Sequence, residues 1–96
     1  LSRNQGVVVW GAGPVGKAFA RELLAQGSRL AAFVDLDPRK VGQTIHGVRV
    51  LRPEAALTMN GVFSVAAVAK GEGREEIRGA LTADGRPLIE DFVAVA

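Results

Sequence analysis

Ninety-six residues, 48% of them hydrophobic and 23% charged, fit one small domain and exclude a two-domain enzyme, because domains typically run to about 100–150 residues. With no cysteine, no tyrosine and a single histidine, the chain cannot use disulfides, thiolate catalysis, cysteine-ligated metals or a Tyr-Lys proton relay, and a Ser-His-Asp triad would have to pass through His46. The net charge of +2 is spread thinly, with six basic and three acidic residues in the first 48 and six and seven in the remainder, which argues against a phosphate-backbone footprint and so against direct nucleic-acid binding.

Val7-Val8-Val9-Trp10 is a continuous apolar, β-branched run, the pattern of a strand buried on both faces of a parallel sheet. It leads into Gly11-Ala12-Gly13-Pro14-Val15-Gly16. Val15, Phe19 and Leu23 then recur every four residues, with Lys17, Arg21 and Glu22 between them, so an amphipathic helix is expected. Pro14 suits its first turn and Gly27 its left-handed stop. Leu30-Ala31-Ala32-Phe33-Val34 reads as a second buried strand, ended by Asp35. From Asp37-Pro38 through Gly47 no period persists, and a connecting loop with one helical turn at most is expected. Val48-Arg49-Val50-Leu51 alternates as a third strand, and Pro53 opens a short helix through Ala55, Ala56 and Leu57 that Asn60-Gly61 closes. Val62 through Ala69 is the fourth strand. A second amphipathic helix follows from Gly73, with Ile77 and Leu81 inward, ending at Gly85 and Pro87. Phe92-Val93-Ala94-Val95 is the fifth strand.

Strands alternating with helices at this spacing predict an α/β domain with a doubly wound parallel sheet of five strands in the order 3-2-1-4-5. Val7, Val9, Phe19, Leu23, Phe33, Val50, Val65, Val68, Ile77 and Leu81 are the expected core. No run approaches the roughly 18 apolar residues of a membrane span, and Leu1-Ser2-Arg3-Asn4 lacks a signal-peptide layout. A cytoplasmic chain is therefore expected, and a first residue other than methionine points to a piece of a larger protein.

Gly11-x-Gly13-x-x-Gly16 follows an expected strand, opens an expected helix and precedes Asp35 by 19 residues, close to the roughly 20 that separate a phosphate-binding glycine loop from its ribose-binding acid. Gly11 would permit the tight turn, Gly13 the approach of a pyrophosphate to the backbone, and Gly16 close packing of helix on sheet. Unpaired amides at the helix start, around Pro14 and Val15, would face the anion. Asp35 would accept hydrogen bonds from ribose hydroxyls. Trp10 would either wall this pocket or lie in the core. Lys17 reads as a solvated helix lysine and His46 as a loop histidine. Arg39 and Lys40 lie where a ribose 2′-phosphate would bind, but the Asp35 carboxylate repels that phosphate, favouring a ligand with free ribose hydroxyls. Lys70 and Arg74, just beyond the fourth strand, would meet a phosphate or an acidic sugar group, or form a solvated turn.

The segments VVVWGAGPVGKA, FVDLDPRKVGQTIHGVRVL and VAAVAKGEGREEIRGAL together resemble a Rossmann-like module of bacterial sugar-nucleotide proteins. They are similar to the amino-terminal domain of the sialic-acid and bacillosamine type acyltransferases and to accessory domains of bacterial glycosyltransferases. The middle pattern also resembles the NADH-binding domain of Rex-type redox repressors. The acyltransferase β-helix and the repressor's winged helix have no counterpart in these 96 residues. The resemblance implies that residues 1–96 form one nucleotide-binding domain in which Gly11, Gly13, Gly16 and Asp35 contact NAD(H) or a UDP-sugar type nucleotide; Pro14, Val15 and Lys70 join them as candidate contacts by their positions at the helix start and after the fourth strand. It further implies an accessory module of a larger carbohydrate-modifying transferase. An NAD(H)-sensing regulatory domain is one alternative. The other is a ligand-free interaction or oligomerisation module, for example a homodimer. No catalytic residue and no metal ligand is expected within the domain.

Overall fold

The computed structural model describes residues 6–68, Glu76, Gly79 and the backbone of residues 88–90. In chain order the elements are β1 (Val7–Trp10), α1 (Pro14–Ala25), β2 (Leu30–Val34), β3 (Thr44–Ile45), β4 (Val48–Leu51), α2 (Pro53–Ala56), β5 (Phe63–Ala66) and β6 (Leu88–Glu90). They form one sheet in the order β3-β4-β2-β1-β5-β6. All pairings are parallel except the antiparallel β3·β4 edge. Without β3 this is the expected five-strand order, with β1 at the centre and the chain crossing back over it between β4 and β5.

The four residues of β1 are all buried, and their alternation divides the core. Val7 and Val9 join Ala20 and Leu23 of α1, together with Phe33, Val50 and Val65, on one face. Val8 and Trp10 join Val34, Ala66 and Ala56 of α2 on the other. A strand sandwiched between helical layers gains from both sides, at roughly 1.5–3 kcal/mol for each large apolar side chain taken from water. Of the expected core, Val7, Val9, Leu23, Phe33, Val50 and Val65 are buried. Phe19 packs from the partly buried edge of the first cluster and Val68 from that of the second. Ile77 and Leu81 lie outside the described residues, although Glu76 and Gly79, from the same expected helix, are helical and exposed.

α1 ends as its sequence predicts. Ser28 N–H donates to Leu23 O at 2.9 Å and Gly27 N–H to Leu24 O at 3.0 Å, while Gly27 takes φ +82°; this is a complete Schellman motif, which needs a residue free to enter the left-handed region.

The segment between β2 and β4 departs from the expected plain loop. Ile45 pairs with Val48 across a two-residue turn, and His46 and Gly47 adopt φ +52° and +81°. Two positive φ values in succession are what a tight hairpin requires. Histidine tolerates this region better than β-branched residues do, so His46 has a conformational job, and two-residue β3 is too short to show any period. β5 is also shorter than the expected strand over Val62–Ala69. The expected strand at Phe92–Val95 lies outside the described residues. The strand that pairs with β5 is Leu88–Glu90, directly after Pro87, three residues in which no alternation is legible. No helix among the described residues is long and apolar enough to cross a membrane.

Candidate functional site

A cleft of about 220 Å³ opens where the carboxyl ends of β1, β2 and β5 meet, lined by Trp10, Gly11, Gly13, Pro14, Val15, Gly16, Asp35, Leu36, Lys40, Ala67 and Val68. Its position follows from topology. β2 and β5 leave β1 on opposite sides, so the segments after them diverge and a crevice remains above the central strand.

The glycine loop forms the floor. Gly11 takes φ +132°, and a side chain there would meet the Ala67 carbonyl oxygen at 2.5 Å. A Cβ on Gly16 would fall inside the Gly11 carbonyl, so the first and third glycines are demanded by the protein's own packing. Gly13 is different. Its φ is −87°, and among the described residues only Lys40 Nζ comes within 4 Å of where a Cβ would stand, at 3.4 Å. The described residues leave Gly13 nearly free, and what its missing side chain provides among them is open space above the backbone.

Backbone bonds hold the loop on both sides. Gly11 N–H donates to Val34 O at 2.7 Å and Ala67 N–H to Trp10 O at 3.0 Å. Lys17 N–H donates to Gly13 O at 2.9 Å and closes the first turn of α1. The amides of Val15 and Gly16 precede that first bond and so find no acceptor within the helix. Pro14 at the helix start has no donor to lose, no side chain caps this end, and no acidic residue sits in the first turn. The positive end of the helix dipole is thus left unneutralised by α1 itself.

Asp35, whose side chain is 15% exposed, ties the two halves of the site together. Its Oδ2 accepts from Ala12 N–H at 2.9 Å, within the glycine loop, and its Oδ1 accepts from Asp37 N–H at 2.8 Å. Each carboxylate oxygen has room for a second donor, so these bonds leave acceptor capacity toward the cleft. The acid is therefore part of the scaffold as well as a candidate ribose acceptor. The sequence spacing brought it to the loop but gave no sign of the bond to Ala12.

Asp37 repeats the same turn. Its Oδ1 accepts from Arg39 N–H at 2.9 Å and from Arg39 Nε at 3.1 Å, while Arg39 Nη2 donates to Oδ2 at 3.1 Å. These bonds from the Arg39 side chain, and then that from its backbone, hold the Asp37 carboxyl below its ordinary pKa. The Arg39 side chain is 89% exposed and does not line the cleft.

Lys40 goes the other way. Its Nζ lies 4.0 Å from Asp35 Oδ2, with the side chain 38% exposed, and it reaches over Gly13. Two adjacent cations that look equivalent in sequence thus point to different places, and Lys40 is the one the site gathers in. Lys17 is exposed on α1, and His46 stands on the hairpin with its ring 6.4 Å from that of Phe33; neither lines the cleft. Trp10 fills both expected roles. It is 1% exposed, with Nε1 donating to Ser64 Oγ at 3.2 Å, and it also borders the cleft. Leu36, 40% exposed, adds an apolar rim beside Val68. Lys70 and Arg74 lie outside the described residues.

No protein-family model matches the chain, and no curated protein sequence does either. Solved structures match it in fold. The Rex-family repressor RSP superposes with a TM-score of 0.72 at 22% identity, covering 90% of this chain and 44% of the repressor. RSP in complex with β-NAD⁺ and operator DNA gives 0.71 at 18% identity, covering 94% and 52%. UDP-D-quinovosamine 4-dehydrogenase from Vibrio fischeri gives 0.74 at 22% identity, covering 90% and 76%. The chain spans less than half of the repressor in the first of these matches. At such identities the likeness establishes the fold, a Rossmann-like α/β domain.

Proposed function

We propose that this chain is a nucleotide-binding module that takes an NAD(H)-type dinucleotide at the cleft above β1. One observation carries this reading: the carboxylate that ends β2 is bonded directly to the glycine loop that ends β1, through Ala12 N–H and Asp35 Oδ2. A ribose acceptor and a pyrophosphate-binding backbone are thereby held at a fixed separation. In the ligand complex, the amides of Val15 and Gly16 donate to phosphate oxygens over Gly13. Asp35 accepts from the ribose hydroxyls, and Leu36 and Val68 flank the base. The fold neighbour that binds β-NADH supports the dinucleotide. A carboxylate at Asp35 disfavours a 2′-phosphate, so NAD(H) is preferred over NADP(H).

A UDP-sugar is the second reading, favoured by the likeness to an enzyme named for a UDP-sugar substrate. Under either reading, residues 1–96 act as the nucleotide-binding unit of a larger protein. A redox-responsive regulator and a bacterial carbohydrate-modifying enzyme such as a glycosyltransferase are the two settings that the fold neighbours and the sequence resemblance suggest.

Calorimetric titration of the chain with NADH, NAD⁺, NADPH and UDP-sugars tests these assignments. The expected result is saturable binding of NADH and NAD⁺, with NADPH weaker. Tighter binding of a UDP-sugar than of NADH would transfer the site to the second reading. A chain that bound none of them at millimolar concentration would leave the ligand-free interaction module.

A further inference from the structure

Lys40 belongs to no part of the glycine motif, yet the fold delivers its ammonium over Gly13, the loop glycine that the described residues leave open. The delivery is local. Asp35 and Asp37 make two successive side-chain-to-backbone turns, and Lys40 N–H donates to Asp37 O at 3.0 Å, so the chain doubles back toward β1. Arg39 is spent on Asp37 with both of its bonded guanidinium nitrogens. The Lys40 ammonium stands 4.0 Å from Asp35 Oδ2, an ion pair too long to be a hydrogen bond. Among the described residues its three donors therefore remain available. Among the described residues, it is the only cationic side chain that lines the cleft.

The position discriminates between two phosphate locations. Asp35 Oδ2 is the oxygen that faces the glycine loop, since it accepts from Ala12, whereas Oδ1 faces Asp37. Lys40 approaches Oδ2 and Gly13, so it lies on the loop side of the acid, between the ribose acceptor and the pyrophosphate floor. Arg39, paired with Asp37 on the surface, does not line the cleft.

We infer that Lys40 is the side-chain cation that contacts the pyrophosphate of the bound dinucleotide, moving from its loose pair with Asp35 onto a phosphate oxygen above Gly13. This inference rests on the nucleotide reading of the cleft. It adds to that reading a charged ligand residue from outside the glycine motif, and it assigns Lys40 to the bridging phosphates rather than to ribose specificity.

The experiment is a titration of the parent chain, Lys40→Gln, Lys40→Arg, Asp35→Asn and the Asp35→Asn, Lys40→Gln double variant with NADH and NADPH at low and moderate salt. Lys40→Gln should weaken NADH about tenfold, the size of one charge-assisted hydrogen bond, and should flatten the salt dependence of binding. Lys40→Arg should restore most of the affinity. The loss should persist in the Asp35→Asn background, because the partner is the ligand. Unchanged NADH affinity in Lys40→Gln would overturn the inference, as would a loss confined to NADPH. A loss that vanished in the Asp35→Asn background would overturn it too, by showing that Lys40 acts through the acid. Failure of the parent chain to bind either dinucleotide would instead defeat the nucleotide reading itself and this inference with it.

Discussion

Replacing Asp35 by alanine tests whether the acid belongs to the scaffold before any ligand arrives. Two backbone donors, Ala12 N–H and Asp37 N–H, bond to its carboxylate at 2.9 and 2.8 Å. A hydrogen bond to a charged group contributes about 1.5–3 kcal/mol, and two of them would sum to roughly 3–6. Ala12 is buried, but Asp37 is only half-buried, so its N–H can bond to solvent instead and part of this is recovered. A net cost of about 2–3 kcal/mol is expected for Asp35→Ala in the ligand-free chain. Asp35→Asn keeps one acceptor oxygen but sets an amide NH₂ against one of the two backbone donors, and about half to two-thirds of that cost should appear. Urea denaturation of the three chains, followed by far-ultraviolet circular dichroism, measures both values. The slope against urea should stay unchanged, since the loss is local. An Asp35→Ala chain within about 0.5 kcal/mol of the parent would refute the reasoning and return Asp35 to a purely ligand-facing role.

The remaining predictions use the same assays. Gly16→Ala forces a methyl into the Gly11 carbonyl and should cost at least about 3 kcal/mol, in the range of severe overpacking. Among the described residues a methyl at Gly13→Ala meets only the end of Lys40, and the variant should fold within about 1 kcal/mol of the parent while losing most nucleotide affinity by calorimetry. Ser64→Ala strands the buried indole N–H of Trp10 and should cost about 1–3 kcal/mol with a shift in tryptophan emission. Asp37, whose pKa is lowered in the folded chain by Arg39, stabilises its turn above the carboxyl's ordinary range. That stabilisation is lost as pH falls through the lowered value, so an Arg39→Ala chain should show an Asp37 carboxyl titrating at higher pH by nuclear magnetic resonance.

How much of this was legible in the sequence depended on whether a feature is local. The runs Val7–Trp10 and Leu30–Val34 announce buried strands because both faces are apolar, and Pro14 and Gly27 mark the ends of α1 through backbone constraints that each residue carries by itself. The motif and its spacing likewise brought Asp35 to the glycine loop, since loop, helix and strand lengths alone set that distance. Where packing or pairing decides, the sequence was silent. β3 and β6 have two and three residues, too few for alternation to show, and they exist because a neighbouring strand offers a free edge. The motif positions already set Gly11 and Gly16, for turn and packing, apart from Gly13; what the tertiary structure adds is the groups that enforce this, the Ala67 and Gly11 carbonyls. The divergence of Arg39 and Lys40 is also tertiary. Asp37 captures the first through adjacent bonds, while the second is drawn to a loop 27 residues earlier in the chain, a proximity created by the parallel pairing of β1 with β2.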